Sequence, residues 1–558
     1  MNRLFLKTKS MVMLGSLGVI LLTGIVTSTA REVADDPVYS WSNLPRVVEP
    51  SFQPDTFNIR QFGAKPDGVT LNTLSINEAI STCSRDGGGV VLIPAGYWLT
   101  GPIELKSNVN LHLEKNAFLQ FTADFDQYQI VEGNYEGKPS ARNQSPISGT
   151  GLTNVAITGS GVIDGNGDAW RMVTKGELTE REWRAKVASG GLVSADGKTW
   201  YPSEKVKKAH EGKRSVLLAD ANSLADFEDI KDYLRPNMVV LTNCSNVLLE
   251  GVTFQNSPAW NLHPLLCNNL TLRNLRVKNP DYAQNGDGVD IESCANVLVE
   301  SCVFDVGDDA ICIKSGKDEE GRKRGVATQR VIIRNNVVYA GHGGFVVGSE
   351  MSGGVRDIFV EQCTFMGTDK GIRFKTTRGR GGVVENIFIR DINMANIVQE
   401  AIFFDMYYWT TPPAANEVQE IPPVTEETPI IRNVSIDRVV CNGAAKGIFI
   451  RGLPEMPLQN IRMTELTLNV DKGVEMTDAD QVSITKSIIR PQQKDVLIYG
   501  ENIRRVTVDS LTFPAGVEAL VELNGPRSAD VRLVDTDVSG AVQTVRFEHG
   551  ADATMFHN

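Results

Sequence analysis

One unit recurs through the middle of the chain, and it limits the possible folds more than any other feature. The segments NVLLEGVTFQN (from Asn246), NLTLRNLRVKN (Asn269), NVLVESCVFDV (Asn296), RVIIRNNVVYA (Arg330), DIFVEQCTFMG (Asp357) and NIFIRDINMAN (Asn386) share a pattern. Each opens on a polar residue, alternates apolar residues, and runs into a second short apolar stretch. Period-two alternation argues for strands. Recurrence about every 23 to 34 residues argues for a solenoid in which each copy buries its apolar face against the next. Weaker copies begin at Asn433, Asn460 and Asn502, with earlier ones near Val109 and Val155. Short β-branched strands with Asn and Gly at the corners indicate an all-β, single-stranded parallel β-helix. A leucine-rich repeat would need a fixed Leu frame, and a two-sheet sandwich would not give a regular unit.

The rest of the chain is organised around that repeat. Residues 1–30 have a basic start (Arg3, Lys7, Lys9), an apolar core from Met11 to Val26, and Ser28-Thr29-Ala30 before Arg31, the pattern of a signal peptide. Periplasmic or secreted location is therefore expected, with no membrane association after cleavage. Residues 31–56 are Pro-rich and expected to wrap the start of the solenoid, which runs from 57 to 545, with a tail at 546–558. Ile76, Ala79, Ile80 and Cys83 fall at helical spacing, so an amphipathic helix should cap the open N-terminal end. A charged, tryptophan-bearing stretch at 168–236 breaks the repeat and is expected to shape a binding surface on one face. Two further interruptions follow the repeat strands, KDEEGRKRGVATQ from Lys317 and a Pro-rich loop after Tyr407, Tyr408 and Trp409.

Composition excludes some functions. Lys and Arg number 56 against 68 Asp and Glu, a formal charge of −12, so nucleic acid is not an expected partner. Eight cysteines would suit a disulfide framework in an exported protein. Six of them, Cys244, Cys267, Cys294, Cys302, Cys312 and Cys363, fall in or beside the repeat strands, as buried small apolar residues would. There is no CxxC and the six histidines are scattered, so neither a zinc site nor any other metal or cofactor is expected.

Four polar motifs lie in consecutive copies of the repeat: NGDGVD (Asn285 to Asp290), GDD (Gly307 to Asp309), GHGG (Gly341 to Gly344) and RFK (Arg373 to Lys375). Asp308 and His342 each come 12 residues after their openers, and Asp287 and Lys375 each come 18 after theirs. Equal phase in stacked coils means roughly 4.8 Å per coil, so Asp308 and His342 should be neighbours and the motifs should form one stripe. Any single motif is explained as a turn, but Arg, Lys and His are not favoured turn residues. Glycoside hydrolysis needs one carboxylic acid to protonate the leaving oxygen and one carboxylate to activate water or attack. Asp287, Asp308 and Asp309 supply both, and crowding should keep one protonated. His342 would orient Asp308. Arg373 and Lys375 suit a substrate carboxylate; the plainer alternative is that they balance the three acids.

These motifs, with FNIRQFGAKPDG, IPAGYWLTGPI and SPAWNLHPL, resemble family 28 of the glycoside hydrolases, the polygalacturonases, over nearly the whole chain after residue 30. The resemblance implies a right-handed β-helix, hydrolysis of α-1,4-galacturonosyl bonds with inversion, and no cofactor. It assigns Asp308 as general acid, Asp287 and Asp309 to the water, His342 to support the acid, and Arg373 and Lys375 to the galacturonate carboxylate. Gly286 departs from the family's N-x-D motif, where many members have Thr. GDDAICIKSGKDEEG, GHGGFVVGSEMSGG and RFKTTRGRGG look most like exo-acting bacterial members. On that reading Asn285, Arg378 and Arg380, Tyr408, and the pair Trp260 and His263 are candidates for contact with a terminal sugar, and the stretch 168–236 would wall off one end of the cleft. Polygalacturonate or pectic oligosaccharides are the expected partners, acted on by a monomer. Rhamnogalacturonan hydrolysis, a calcium-dependent pectate lyase and a non-catalytic sugar-binding β-helix are the alternatives.

Overall fold

The polar residue that opens each repeat is a corner of a coil. In the computed structural model, Asn246, Asn269, Asn296, Arg330, Asp357, Asn386, Asn433 and Asn460 all have φ between 52° and 57°. Asn and Asp reach this left-handed region most easily among residues with a side chain. The corner side chains then bond to one another up the stack. Asn246 Nδ2 donates to Asn154 Oδ1 at 3.0 Å, and Asn269 Nδ2 to Asn246 Oδ1 at 3.2 Å. Arg330 holds the same corner with its Nε donating to Asn296 Oδ1 at 2.8 Å.

The structure describes residues 39–412 and 420–558. Met1–Asn43 and Leu44–Asn558 are separate units; in the first, an antiparallel bridge joins Ser40 and Asn43. The expected leader at 1–30 and part of the Pro-rich loop after Trp409 lie outside the described residues.

The second unit is a right-handed parallel β-helix. A full coil contributes three strands, as in Ala295–Glu300, Val303–Asp305 and Asp309–Lys314. Successive coils pair in parallel and in register, so Leu270, Val297, Val331, Ile358, Ile387 and Val434 form one buried column. Burying each such side chain contributes about 1.5–3 kcal/mol. The helix Thr73–Arg85 closes the N-terminal end on a face of Ile76, Ala79, Ile80 and Cys83, all fully buried. All eight cysteines are buried free thiols. Pairing continues past residue 545, where Phe556–His557 lies against Ala529–Val534.

Two insertions leave the stack near the four motifs. Between Val162–Asp164 and Val239–Thr242 stand the helices Glu180–Ala188 and Glu204–Glu211, a three-stranded sheet and a 3-10 stretch, Leu224–Tyr233. Trp183, Trp200 and Val173 make its own small core, against which Tyr282 packs. Its tryptophans are structural. The other insertion is an antiparallel hairpin, Ile130–Tyr135 with Lys138–Asn143, which the repeat pattern does not announce.

The third strands of the motif coils, Val289–Glu292, Asp309–Lys314, Gly343–Gly348 and Lys370–Lys375, are consecutive in one 14-stranded sheet. Asp309 pairs with Gly343, so Asp308 and His342 are level as the spacing predicts. The equal phase of Asp287 and Lys375 is misleading. Lys375 pairs with Gly348, whereas Asp287 lies two residues before Val289, the partner of Ile311. Val289 comes 20 residues after Asn269, but Ile311 comes 15 after Asn296. The longer loop before Val289 moves Asp287 level with Asp309.

Gly286, in that loop, has a steric reason. A Cβ there would lie 2.6 Å from the Ala283 carbonyl oxygen and 2.8 Å from its Cβ. The loop turns tightly, with Gly286 N–H donating to Ala283 O at 2.8 Å and Asn279 Nδ2 donating to Gly286 O at 3.0 Å. Gly286→Thr is expected to cost about 1–3 kcal/mol, as overpacking does. A thermal melt unchanged from the parent would contradict this.

Candidate active site

Asp308 and Asp309 sit where the chain enters its third strand, and the backbone aims them into a cavity of about 450 Å³. Asp309 is fully buried, Asp287 is 3 % exposed, and the Asp308 side chain is 21 % exposed. Asp308 is therefore the most accessible of the three. Its Oδ1 accepts from the backbone N–H of Asp309 at 2.9 Å and lies 3.1 Å from His342 Nδ1. The hydrogen bond to Asp308 raises the His342 pKa, against the opposing effect of burial. Asp369, 3.9 Å from Nε2, adds to this.

Arg373 and Lys375 both reach Asp309. Arg373 Nη1 donates to Oδ1 at 3.0 Å and Lys375 Nζ to Oδ2 at 2.6 Å. Burial alone would raise the Asp309 pKa, but Lys375 and Arg373 override it and hold the carboxyl well below the usual range. Asp309 is ionised, and the trio carries one positive charge in excess. The Tyr408 ring lies 5.0 Å from Lys375 Nζ and 5.7 Å from the Arg373 guanidinium, shielding both cations by cation–π contact.

Asp287 behaves oppositely. Burial, then Asp290 and Asp308, push its pKa well above the ordinary value, and its Oδ1 has no hydrogen-bond partner. Asp290, fully buried in the same motif, is raised by burial too, although Lys314 lies 3.6 Å away. Lys314 Nζ donates to Glu350 Oε2 at 2.6 Å and sits 4.9 Å from the Trp260 ring. Burial would raise Glu350, but Lys314 holds it down to about 2. Lys314 thus stands between Asp290, pushed toward the protonated form, and Glu350, held toward the ionised form. Sequence reading did not single out Asp290, Lys314 or Glu350. The available signal was a lysine ending the apolar run AICIK, which a wholly buried strand would not carry without a carboxylate.

Several other candidates stand elsewhere. His263, 2 % exposed, bonds Glu292 through Nε2 at 2.8 Å and Asn237 through Nδ1 at 3.2 Å. It lines a neighbouring cavity and is absent from the lining of the acid pocket. Arg378 turns away to Glu455, with Nε at 2.5 Å and Nη2 at 2.8 Å. Arg380 is buried on Asp318 and the Ser349 carbonyl. In each case a carboxylate distant in sequence captured the basic residue. Asn285 does line the pocket, its Oδ1 accepting from Arg235 Nη2 at 2.9 Å. Tyr408 and the 83 % exposed Trp409 line it as well.

One oxygen from each of Asp287, Asp308 and Asp309 lies within 4.8 Å of the others, a donor set of the kind that holds a hard divalent cation. Both oxygens of Asp309 already accept from cations. A third positive charge there would be repelled, so the three acids are poorly suited to a metal.

Both insertions reach the acid pocket. Glu136 at the hairpin tip and Glu177 of the larger insertion line the acid pocket. The tip is latched to the loop after the GDD strand by Lys317 Nζ–Glu136 Oε2 at 3.0 Å and Lys138 Nζ–Asp318 Oδ2 at 3.0 Å. The charges following Lys314 thus fasten the hairpin tip at the edge of the acid pocket, where Glu177 of the stretch 168–236 also stands.

Comparison with known proteins agrees with this architecture. A probable polygalacturonase of Vitis vinifera is 28 % identical over 441 residues, 76 % of this chain and 77 % of that protein. The exo-poly-alpha-D-galacturonosidase of Dickeya chrysanthemi is 31 % identical over 390 residues, 68 % of this chain and 62 % of its own. The crystal structure of a hyperthermoactive exopolygalacturonase from Thermotoga maritima superposes with a TM-score of 0.62 at 30 % identity, covering 84 % of this chain and 94 % of that one. Residues 56–206 match the model for rhamnogalacturonase A/epimerase, pectate lyase-like proteins. The model of the glycosyl hydrolases family 28 matches residues 178–479, more than half of the chain and all four motifs, and the chain belongs to that family.

Proposed function

We propose that this cleft hydrolyses α-1,4-galacturonosyl bonds of pectic polymers, releasing sugar from a chain end. The observation that carries the reading is the excess positive charge of Arg373 and Lys375 over Asp309, which a neutral sugar would leave uncompensated and a uronate would neutralise. Relatives named as polygalacturonases act on such a substrate. Glu136 and Glu177 at the edge of the acid pocket support action at a chain end. A polymeric substrate outside the cell fits the leader-like residues 1–30.

In this mechanism Asp308 protonates the glycosidic oxygen. It is the acid that reaches the open cleft, and His342 holds it there. Asp287 and Asp309, level in adjacent coils, hold and activate one water between them. Lys375 uses one of its three donors on Asp309, so a substrate carboxylate can share the ammonium. Drawing Lys375 partly away returns basicity to Asp309. Trp409 offers an exposed ring for a sugar face.

Asp308→Asn and Asp309→Asn should each lower kcat by ~10²–10⁴ with the fold intact by circular dichroism; unimpaired turnover would remove catalysis from this site. The pH profile of kcat/KM should be bell-shaped. Asp309, held low, must stay ionised, so the acid limb falls below the ordinary carboxylate range. An acid limb inside the ordinary carboxylate range would contradict an Asp309 held ionised by Lys375 and Arg373. On galacturonate oligomers, short end products should appear from the first turnover, with a β-configured new reducing end by NMR and no effect of EDTA. Ultraviolet-absorbing unsaturated ends that vanish with chelator would instead indicate a lyase. Rhamnogalacturonan belongs in the same assay, given the match of residues 56–206.

A further inference from the structure

The latched hairpin divides the groove, and behind it lies a second, larger cavity that the proposed reaction does not use. Its volume is about 810 Å³, within the range of small-molecule sites. Its floor is the outer face of the coils that precede the acids, through residues such as Ser148, Val240 and His263, and its roof is the hairpin.

Arg142, on the hairpin and lining this cavity, is 8 % exposed. No carboxylate lies within ion-pair distance of its guanidinium among the described residues. Its side-chain contacts are Asn237 Oδ1 at 3.4 Å and the Tyr135 ring at 5.1 Å. Burial, then the nearby Arg235, lower its pKa to about 10, which leaves it charged at neutral pH. A buried cation without a counter-ion is costly. Among the described residues other buried cations have carboxylate partners, as Lys314 has Glu350 and Arg171 has Asp168. The surroundings do not pair the charge: Glu136, whose field reaches Arg142, is paired with Lys317, Glu292 is already shared between Arg324 and His263, and the acidic lining residues Glu132 and Glu320 are exposed at the rim. Asn143, which also lines the cavity, is 1 % exposed and held by Nδ2 donating to the Lys231 and Leu234 carbonyl oxygens.

We propose that this cavity binds a small sugar acid, its carboxylate on Arg142 and Asn237, as a site separate from the catalytic cleft. The choice of a uronate as the occupant rests on the proposed function, in which that sugar acid is the product. The carboxylate requirement rests on Arg142 alone.

The test is calorimetric titration of the full protein with galacturonate, and with galactose as the analogue lacking the carboxylate. Arg142→Met removes the charge and keeps the volume; Asn237→Ala removes a second contact from a different element. A Lys375→Met protein, altered in the catalytic cleft, isolates the second site. In Lys375→Met galacturonate should still bind and galactose should not. Adding Arg142→Met should weaken that binding at least about tenfold, the scale of one lost charge-assisted hydrogen bond, and Asn237→Ala should weaken it in the same direction. Arg142→Met alone should turn over oligomers like the parent in the absence of added monomer. Unchanged galacturonate affinity in the double variant, with folding confirmed by its melt, overturns the proposal. So does equal binding of galactose. These readouts need no turnover, so a failure of the proposed reaction would be seen separately, in the oligomer assay.

Discussion

The catalytic cleft depends on one constraint, the in-register parallel pairing of successive coils. Because each strand bonds to its neighbour at a fixed offset, a residue's height in the cleft is set by its coil and its lateral position by its place in the strand. Asp309 and Gly343 are paired, and so are Gly348 and Lys375. The acids and cations therefore meet although 66 residues separate Asp309 from Lys375. Coils may lengthen only between strands. The longer loop before Val289 uses that freedom, and it brings Asp287 beside Asp309 without disturbing the buried column below.

That rigid framework lets the cleft carry charges that would be costly in isolation. Asp309 stays ionised because two cations reach it, while Asp287 and Asp290, without comparable partners, are pushed toward the protonated form. Lys314 and Glu350 compensate each other beneath them. The arrangement separates three chemically identical side chains into different protonation preferences, which acid–base chemistry on a glycosidic bond requires. The uncompensated charge is left where a uronate would enter.

The repeat was legible because strand alternation and corner residues are local properties. Ile76, Ala79, Ile80 and Cys83 were read as one helix face, and Asn246, Asn269 and Asn296 as openers, from neighbours within a few residues. Asp308 and His342 were legible for the same reason, since their coils have equal lengths up to the third strand. The partners of His263 and Arg378 were not legible, because proximity to a motif says nothing about partners. Glu292 and Glu455 captured them from other coils. The hairpin Ile130–Asn143 is not legible because its strands carry the polar and Gly-rich run EGNYEGKPS in place of apolar alternation.

By itself the sequence determined the β-helix, its capping helix, the family and the stripe of four motifs. Each follows from short-range periodicity or from residue identity at fixed spacing. Only the tertiary structure decided which acid is held toward the ionised form, which are pushed toward the protonated one, and which bases face the cleft. Those outcomes depend on contacts between residues tens to hundreds of positions apart, such as Lys317 with Glu136 and Lys375 with Asp309. Burial and Coulomb interactions act through space, and the distances that govern them exist only once the coils have stacked.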